Sequence, residues 1–247
     1  MSEPRFLCPI CGAELHRSDA AAICCYCGAE DPLTLAEEPL PWRCPQGHHL
    51  CEPCRLASAT VAVERSIGHL SGTDPYVMAN LLMSHPSIRI VAYGPDHHGI
   101  APAALLSSLR NMGLWGGDDD RIKASAQRAA HMLSGSCYLT GTCGAVVGAG
   151  AAISTALGLD IRDPRRGIAL ATVAKANGML AETGGVRCCK EAVYTSIGAA
   201  LDTLAGLYPE APSLRHGKVS CAFSSSMPEC KGEACPYHPR STAKQSR

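Results

Sequence analysis

Aromatic side chains are scarce in this chain of 247 residues, which has two Phe, two Trp and seven Tyr. Surfaces that read single-stranded nucleic acid stack bases on aromatic rings and follow the phosphates with basic side chains. Here the rings are few and 22 basic residues are matched by 22 acidic ones, so nucleic acid is not an expected partner. Long apolar runs are missing too. No stretch reaches the roughly 18–20 apolar residues of a bilayer span, and Gly144–Leu159, rich in small residues, has the spacing of a packed helix. No membrane association is expected. Met1–Leu7 has neither the basic region nor the apolar stretch of an export leader, so a cytoplasmic location is expected.

Cysteine, by contrast, is abundant: 15 residues, an odd number. A chain this long with 46% apolar residues buries a core without covalent staples, and in a reducing compartment thiols serve metals before disulfides. Eight cysteines lie between Cys8 and Cys54 and seven between Cys137 and Cys235, with none from Arg55 to Ser136. The metal chemistry therefore falls in two blocks.

The first block is turn-rich and aperiodic. From Leu56 the pattern becomes helical, with Leu56, Ala59, Val63, Ile67 and Leu70 on one face. Asp74-Pro75 starts a second helix that stops near Ser84, before His85-Pro86. A third follows Pro102 and ends at Gly113, and Asp118–Asp120 opens a fourth, where a helix dipole favours negative charge. Cys143–Leu157, the segment after Asp163-Pro164, and Val193–Tyr208 continue the series, while only Ile88–Tyr93 looks extended. The expected fold is mainly α, a bundle of about seven helices. It has a zinc-ribbon-like module over 1–54, a helical domain over 55–208, a Cys-rich ordered loop over 209–239 and a disordered basic tail over 240–247.

Cys8-x2-Cys11-Gly and Cys24-x2-Cys27-Gly are knuckles twelve residues apart, suited to one tetrahedral zinc site. The glycine after each pair permits a left-handed turn that aims amides at the thiolates, and Cys25 falls outside the spacing. A rubredoxin-like iron is the alternative occupant. Cys44, His48, Cys51 and Cys54, within eleven residues, can close a second tetrahedron, with His48 rather than His49 as the nitrogen ligand. Four protein ligands leave no open position, so one or two structural zinc ions are expected here.

In the second block Cys137 and Cys143 precede one helix and the pair Cys188-Cys189 opens another, where thiols ionise more readily. Cys221, Cys230 and Cys235 form a trio that needs a fourth ligand. Neighbours on a helix diverge by about 100°, so one of Cys188 and Cys189 can join Cys137 and Cys143 and the other the trio. An iron–sulfur cluster is the expected cofactor, with inert buried cysteines or a redox thiol pair as alternatives. His97 and His98 are candidate acid–base groups or ligands beside Cys143, Cys188 and Cys189, and Arg187 and Lys190 favour thiolates and can orient an anion. Gly144, Gly148 and Gly150 do not form a dinucleotide fingerprint, because Ile153 replaces its third glycine; they mark close helix packing.

Taken together, Cys44-Pro-x-Gly-His48-x2-Cys51-x2-Cys54, Gly94-Pro95-x-His97-His98, Gly141-x-Cys143-Gly-Ala-x2-Gly148, Gly184-Gly185-x-Arg187-Cys188-Cys189-Lys190 and Cys230-x-Gly-x2-Cys235-Pro resemble the family catalogued as domain of unknown function fifty-seven-fourteen, over roughly residues 44–240. The Cys-Gly-Ala-x2-Gly element followed by paired cysteines is also similar to redox-associated proteins with a C, GCAxxG, C, C pattern, although Val147 and the spacing depart from it. Both resemblances imply anaerobic redox, iron–sulfur or sulfur metabolism with a partner protein: sulfur transfer, desulfuration or electron delivery. The alternatives are a zinc-dependent interaction adaptor and a thiol metal-trafficking protein, neither with turnover.

Overall fold

Knuckle sequences carry little apolar surface, and the computed structural model, which describes residues 6–31, 41–89, 91–209, 211, 214 and 219–244, gives them only two-residue ladders. Strand β1 (His16–Arg17) and β2 (Ala22–Ile23) pair antiparallel with β4 (Trp42–Arg43) and β3 (Glu30–Asp31), respectively. Gly12 and Gly28 follow the two knuckles at φ 75° and 67°, the left-handed turns that a side chain would strain.

After the short α1 (Glu52–Arg55) the chain is helical: α2 (Ala59–Ser66), α3 (Pro75–Met83), α4 (Pro86–Arg89), α5 (Ile100–Asn111), α6 (Asp119–Ala130), α7 (Ser136–Leu139), α8 (Gly144–Leu157), α9 (Gly167–Glu182), α10 (Cys189–Leu207) and α11 (Pro239–Lys244). Among the described residues seven of these have eight residues or more. The caps follow the sequence. Asp74 accepts hydrogen bonds from the amides of Tyr76 and Val77, and Asp118 from that of Arg121; Asp119 pairs with Arg110 and Asp120 with Lys123.

Two expectations fail. Ile88 lies in helix α4 rather than in a strand, because Pro86 at its first turn starts a helix and Ile88 is needed in the core, where it is fully buried. Residues 239–244 form α11 rather than a disordered tail, since Ser241 Oγ donates to Glu233 O and is itself buried; residues 245–247 lie outside the described residues.

The core is built around α5, α8 and α10. Every residue from Cys189 to Leu201 is buried, as is every residue from His97 to Leu109, which marks helices enclosed on all sides. α8 packs against α5, α6, α9 and α10, and its glycines permit this approach. A Cβ on Gly148 would lie 2.8 Å from Pro102 Cδ and 3.0 Å from His98 O, and one on Gly150 would lie 2.6 Å from Val173 Cγ2. Gly148→Ala is therefore expected to lower stability by about 1–3 kcal/mol through overpacking against backbone. Gly178→Ala, inside α9 with nothing within 4 Å of the added carbon, should raise it by about 0.5–1 kcal/mol. Urea unfolding of the two variants checks the pair, and equal shifts would refute the packing account. Among the described residues no helix is long and apolar enough to cross a membrane.

The N-terminal module sits on the helical body through polar contacts. Tyr26, fully buried, donates to Leu81 O (3.1 Å) and packs edge-on against His85. His85, also fully buried, bonds through Nε2 to Cys54 O at 2.7 Å, and Arg89 donates to Pro9 O.

Candidate metal centres

All fifteen cysteines are free of disulfides. Ligand atoms gather within 4.8 Å of one another in two groups among the described residues, Cys8–Cys11–Cys44–His48 and Cys24–Cys27–Cys51–Cys54. The eight residues singled out by the sequence are all present, but their pairing is different. The two knuckles do not share a site, nor does Cys44–Cys54 close one alone. Instead the first knuckle meets Cys44 and His48 and the second meets Cys51 and Cys54. The β1–β4 ladder causes the interleaving, because it brings Cys44 back beside the first knuckle while Cys25 N–H donates to His49 O and holds the second knuckle against the segment leading to Cys51.

Both groups have the dimensions of a metal tetrahedron. Metal–sulfur bonds of about 2.3 Å at tetrahedral angles separate two thiolates by about 3.8 Å. Cys11 Sγ–Cys44 Sγ is 3.7 Å, Cys27 Sγ–Cys51 Sγ 3.6 Å, and Cys44 Sγ–His48 Nδ1 3.4 Å. Burial pushes the Cys8 and Cys54 thiols up to about 11 and raises Cys51 further, whereas at Cys24 the amides of Cys27, Cys51 and Tyr26 outweigh burial and bring the thiol down to about 7. Thiolates this close cannot all be ionised without a cation between them. His49 is a structural residue, bonded to Trp42 O and Asp31 Oδ2 at 2.8 Å each, and Cys25 belongs to neither group.

In the helical body the N-termini of α8 and α10 and the turn Pro95–His97 come together. Cys188 and Cys189, adjacent at the start of α10, diverge. Cys188 lines a small cavity with Cys221, Cys230 and Cys235, whereas Cys189 Sγ accepts from Gly94 N–H at 3.4 Å and lies within electrostatic reach of Cys143 and Cys137. The trio's sulfurs each receive the amide two residues on: Phe223 N to Cys221 and Gly232 N to Cys230, both at 3.4 Å, and Tyr237 N to Cys235. The same turn occurs at Cys8, Cys24 and Cys44, which receive the amides of Ile10, Tyr26 and Gln46. No three of the four thiols come within 4.8 Å of one another as the N-terminal ligands do.

The expectation of easily ionised thiols at helix N-termini is reversed at Cys143 and Cys189. Burial raises the Cys143 thiol and takes Cys189 to about 12, more than the nearby amides lower them. Lys190 is not free to meet a substrate either. It is fully buried, with Nζ on Val91 O (2.8 Å), Ile88 O (3.3 Å) and His97 Nε2 (3.2 Å). Burial lowers its pKa while Cys188, Cys221 and Cys189 oppose the shift. Burial, and then Lys190, hold His97 down to about 3, so its imidazole is neutral. Arg187 is exposed and paired with Glu229 (2.9 Å).

Sequence reasoning missed the clamp beside the four thiols. Lys231 Nζ pairs with Glu191 Oε2 at 2.8 Å and donates to Thr183 O and Gly185 O, both partners being largely buried. Its position between two cysteines was the only signal. His85 was missed as well, read only as the end of a helix.

The model of the family of unknown function DUF5714 matches residues 63–238, so the segment Cys44–Cys54 lies outside the match. No curated protein and no solved structure matches the chain.

Proposed function

From the premise that the chain belongs to the DUF5714 family, whose match spans the whole second cysteine block, we propose that it is an iron–sulfur protein of anaerobic redox or sulfur metabolism. Cys188, Cys221, Cys230 and Cys235 would hold the cluster, and the N-terminal groups two structural zinc ions. One observation carries this reading: four thiols line one cavity but stand too far apart for a single ion. A cluster distributes its thiolates over several irons and needs that wider spacing. The amide turns at the trio suit thiolate ligands. The buried Lys190 ammonium donates to two carbonyls and faces the His97 ring, with no carboxylate among its hydrogen-bond partners in the described residues, and the net negative charge of a thiolate-ligated cluster would offset it; such a charge left uncompensated is costly.

A cluster supplies one-electron transfer, or a site for sulfur, at potentials set by nearby charges and hydrogen bonds. Lys190 and Phe223, whose ring centroid is 5.3 Å from Nζ, are the residues placed to tune it, and electron delivery to a partner enzyme or sulfur transfer are the activities in view.

The second reading, an interaction adaptor, has one observation in its favour. A groove of about 1130 Å³ runs beside the first metal group, lined by Phe6, Leu7, Trp42 and Arg89 among others.

Anaerobic purification followed by iron, zinc and acid-labile sulfide analysis separates the two. Iron with matching sulfide, lost in Cys221→Ser/Cys230→Ser while zinc stays, is the expected result. Zinc alone, with no visible absorption, would remove the cluster and leave the adaptor.

A further inference from the structure

The outer face of α9 lacks the charge that a solvent-facing helix surface ordinarily carries. Gly167, Leu170, Ala171, Ala174, Gly178 and Ala181 are all exposed, and at 100° per residue they fall within an arc of about 100°. Leu170 is 70% exposed. The charged residues of α9 are at the edge of this arc: Lys175, whose Nζ is drawn to Asp202 of α10 at 2.7 Å, and Glu182, the last residue of the helix.

The ends of α9 carry the opposite of what its dipole favours. Arg166 is the N-cap, the first turn has no acidic residue, Glu182 closes the helix and the last turn has no basic residue. A dipole favours anions at the N-terminus and cations at the C-terminus. The chain does not correct this itself at the N-terminus: the Asp163 carboxylate is taken by Arg165, and Arg166 bonds to the backbone carbonyl of Asp163 at 3.1 Å. A second α9 running antiparallel brings a glutamate to the arginine end and an arginine to the glutamate end.

We propose that α9 is the dimer interface between two copies of this chain, packed antiparallel about a twofold axis at Ala174. One axis accounts for every feature of the face, since residues equally far from Ala174 on either side meet across it. Ala174 meets its own copy, Gly167 meets the partner's Ala181, Leu170 meets the partner's Gly178 and Arg166 meets the partner's Glu182. The bulkiest side chain of the face thus falls on the residue that has none, and nothing lies within 4 Å of a carbon added at Gly178. Such a surface is self-complementary, as a twofold interface must be. Alanine and glycine at the crossing let the axes approach to about 8 Å. A face about 24 Å long and one helix wide buries less than the roughly 800 Å² per partner of a standard interface, so the dimer is a weak, reversible one. It does not depend on what the four-thiol cavity holds.

Sedimentation equilibrium of the full-length, reduced, metal-loaded protein from about 1 µM to 1 mM tests it. The expected result is a mass that rises with concentration from 25.8 kDa toward twice that value. Arg166→Glu and Glu182→Arg should each weaken association on the order of tenfold, because each sets two like-charged pairs across the axis. Arg166→Glu/Glu182→Arg should restore it, which a merely misfolded chain could not do. Gly178→Leu, which fills the space for the partner's Leu170, should leave the chain monomeric. A chain monomeric over the whole range would overturn the proposal without any variant having to fold. Association unchanged in both Arg166→Glu and Gly178→Leu would place the interface elsewhere and overturn it, as would charge reversals that the double variant fails to rescue.

Discussion

Stripping the bound metal with a chelator under reducing conditions should unfold residues 6–31 and 41–54 and leave α5, α8 and α10 intact. Apart from a few polar contacts with the helical body, little else holds the module. Its ladders are two residues long, its own buried cluster is Cys24, Tyr26, Cys51 and Cys54, and isolated hairpins of that size are not stable in water. Structural zinc contributes about 10–16 kcal/mol to such folds, far more than those contacts. Amide exchange gives the readout. The Cys24, Gly28 and Leu15 amides, bonded to Ala29 O, Cys24 O and Phe6 O, should lose protection by orders of magnitude while Val193–Leu201 keeps it. Persisting protection at Cys24 and Gly28 in the stripped protein would show that the module folds unaided. The interleaving makes a sharper claim: Cys8→Ser/Cys11→Ser should free His48 and halve the metal of the module, leaving the Cys24 group loaded.

Lys231→Ala should cost about 3–5 kcal/mol, because it leaves the Glu191 carboxylate buried without its cation. Glu191 side-chain exposure is 2%, and its other hydrogen-bond partner among the described residues is the Thr183 hydroxyl at 2.9 Å, too little to solvate a charge. The loss is local in structure: Lys231 ties the segment bearing Cys221, Cys230 and Cys235 to the carbonyls of Thr183 and Gly185. Limited proteolysis should therefore cut within residues 219–238 of the variant before the helical body. Lys231→Met/Glu191→Leu, which removes both charges, should recover most of the stability, since a buried pair replaced by apolar residues is often neutral. Equal instability of the single and double variants would argue that the lysine acts by packing alone.

The helices were legible because their signals are local. Asp74-Pro75, Asp118 and the small residues of α8 each specify a cap or a contact within a few positions, and the structure realises all three. Ile88 was misread because a short apolar run is shared by strands and buried helices, and only the core decides between them. The metal-binding residues could be named from spacing, but their partners could not. Which knuckle meets Cys44 depends on the pairing of His16–Arg17 with Trp42–Arg43, two residues on each side with no pattern of their own. The divergence of Cys188 and Cys189 was deducible from helix geometry, whereas its direction depends on where the 219–238 segment docks. Lys190 was read as a group that favours thiolates and orients an anion, and Lys231 was given no role. Each is held by carbonyls of a distant segment, Val91 lying 99 residues from Lys190 and Thr183 lying 48 residues from Lys231, which no local reading reaches.

The crossed order of ligands also sets a timetable for synthesis. Had each site used consecutive ligands, the first would be complete at Cys27; crossed, it waits for His48, and the second for Cys54. At about 5–20 residues per second, the thiols of Cys8 and Cys11 leave the ribosome some 2–8 s before the histidine that completes their set, and the two sites then close almost together. During that interval the nascent chain carries a string of unligated thiols, open to oxidation and to the wrong ion. The vulnerable form of this protein is thus the unfinished one, and its yield in a cell should follow the redox state and metal supply at the moment of translation.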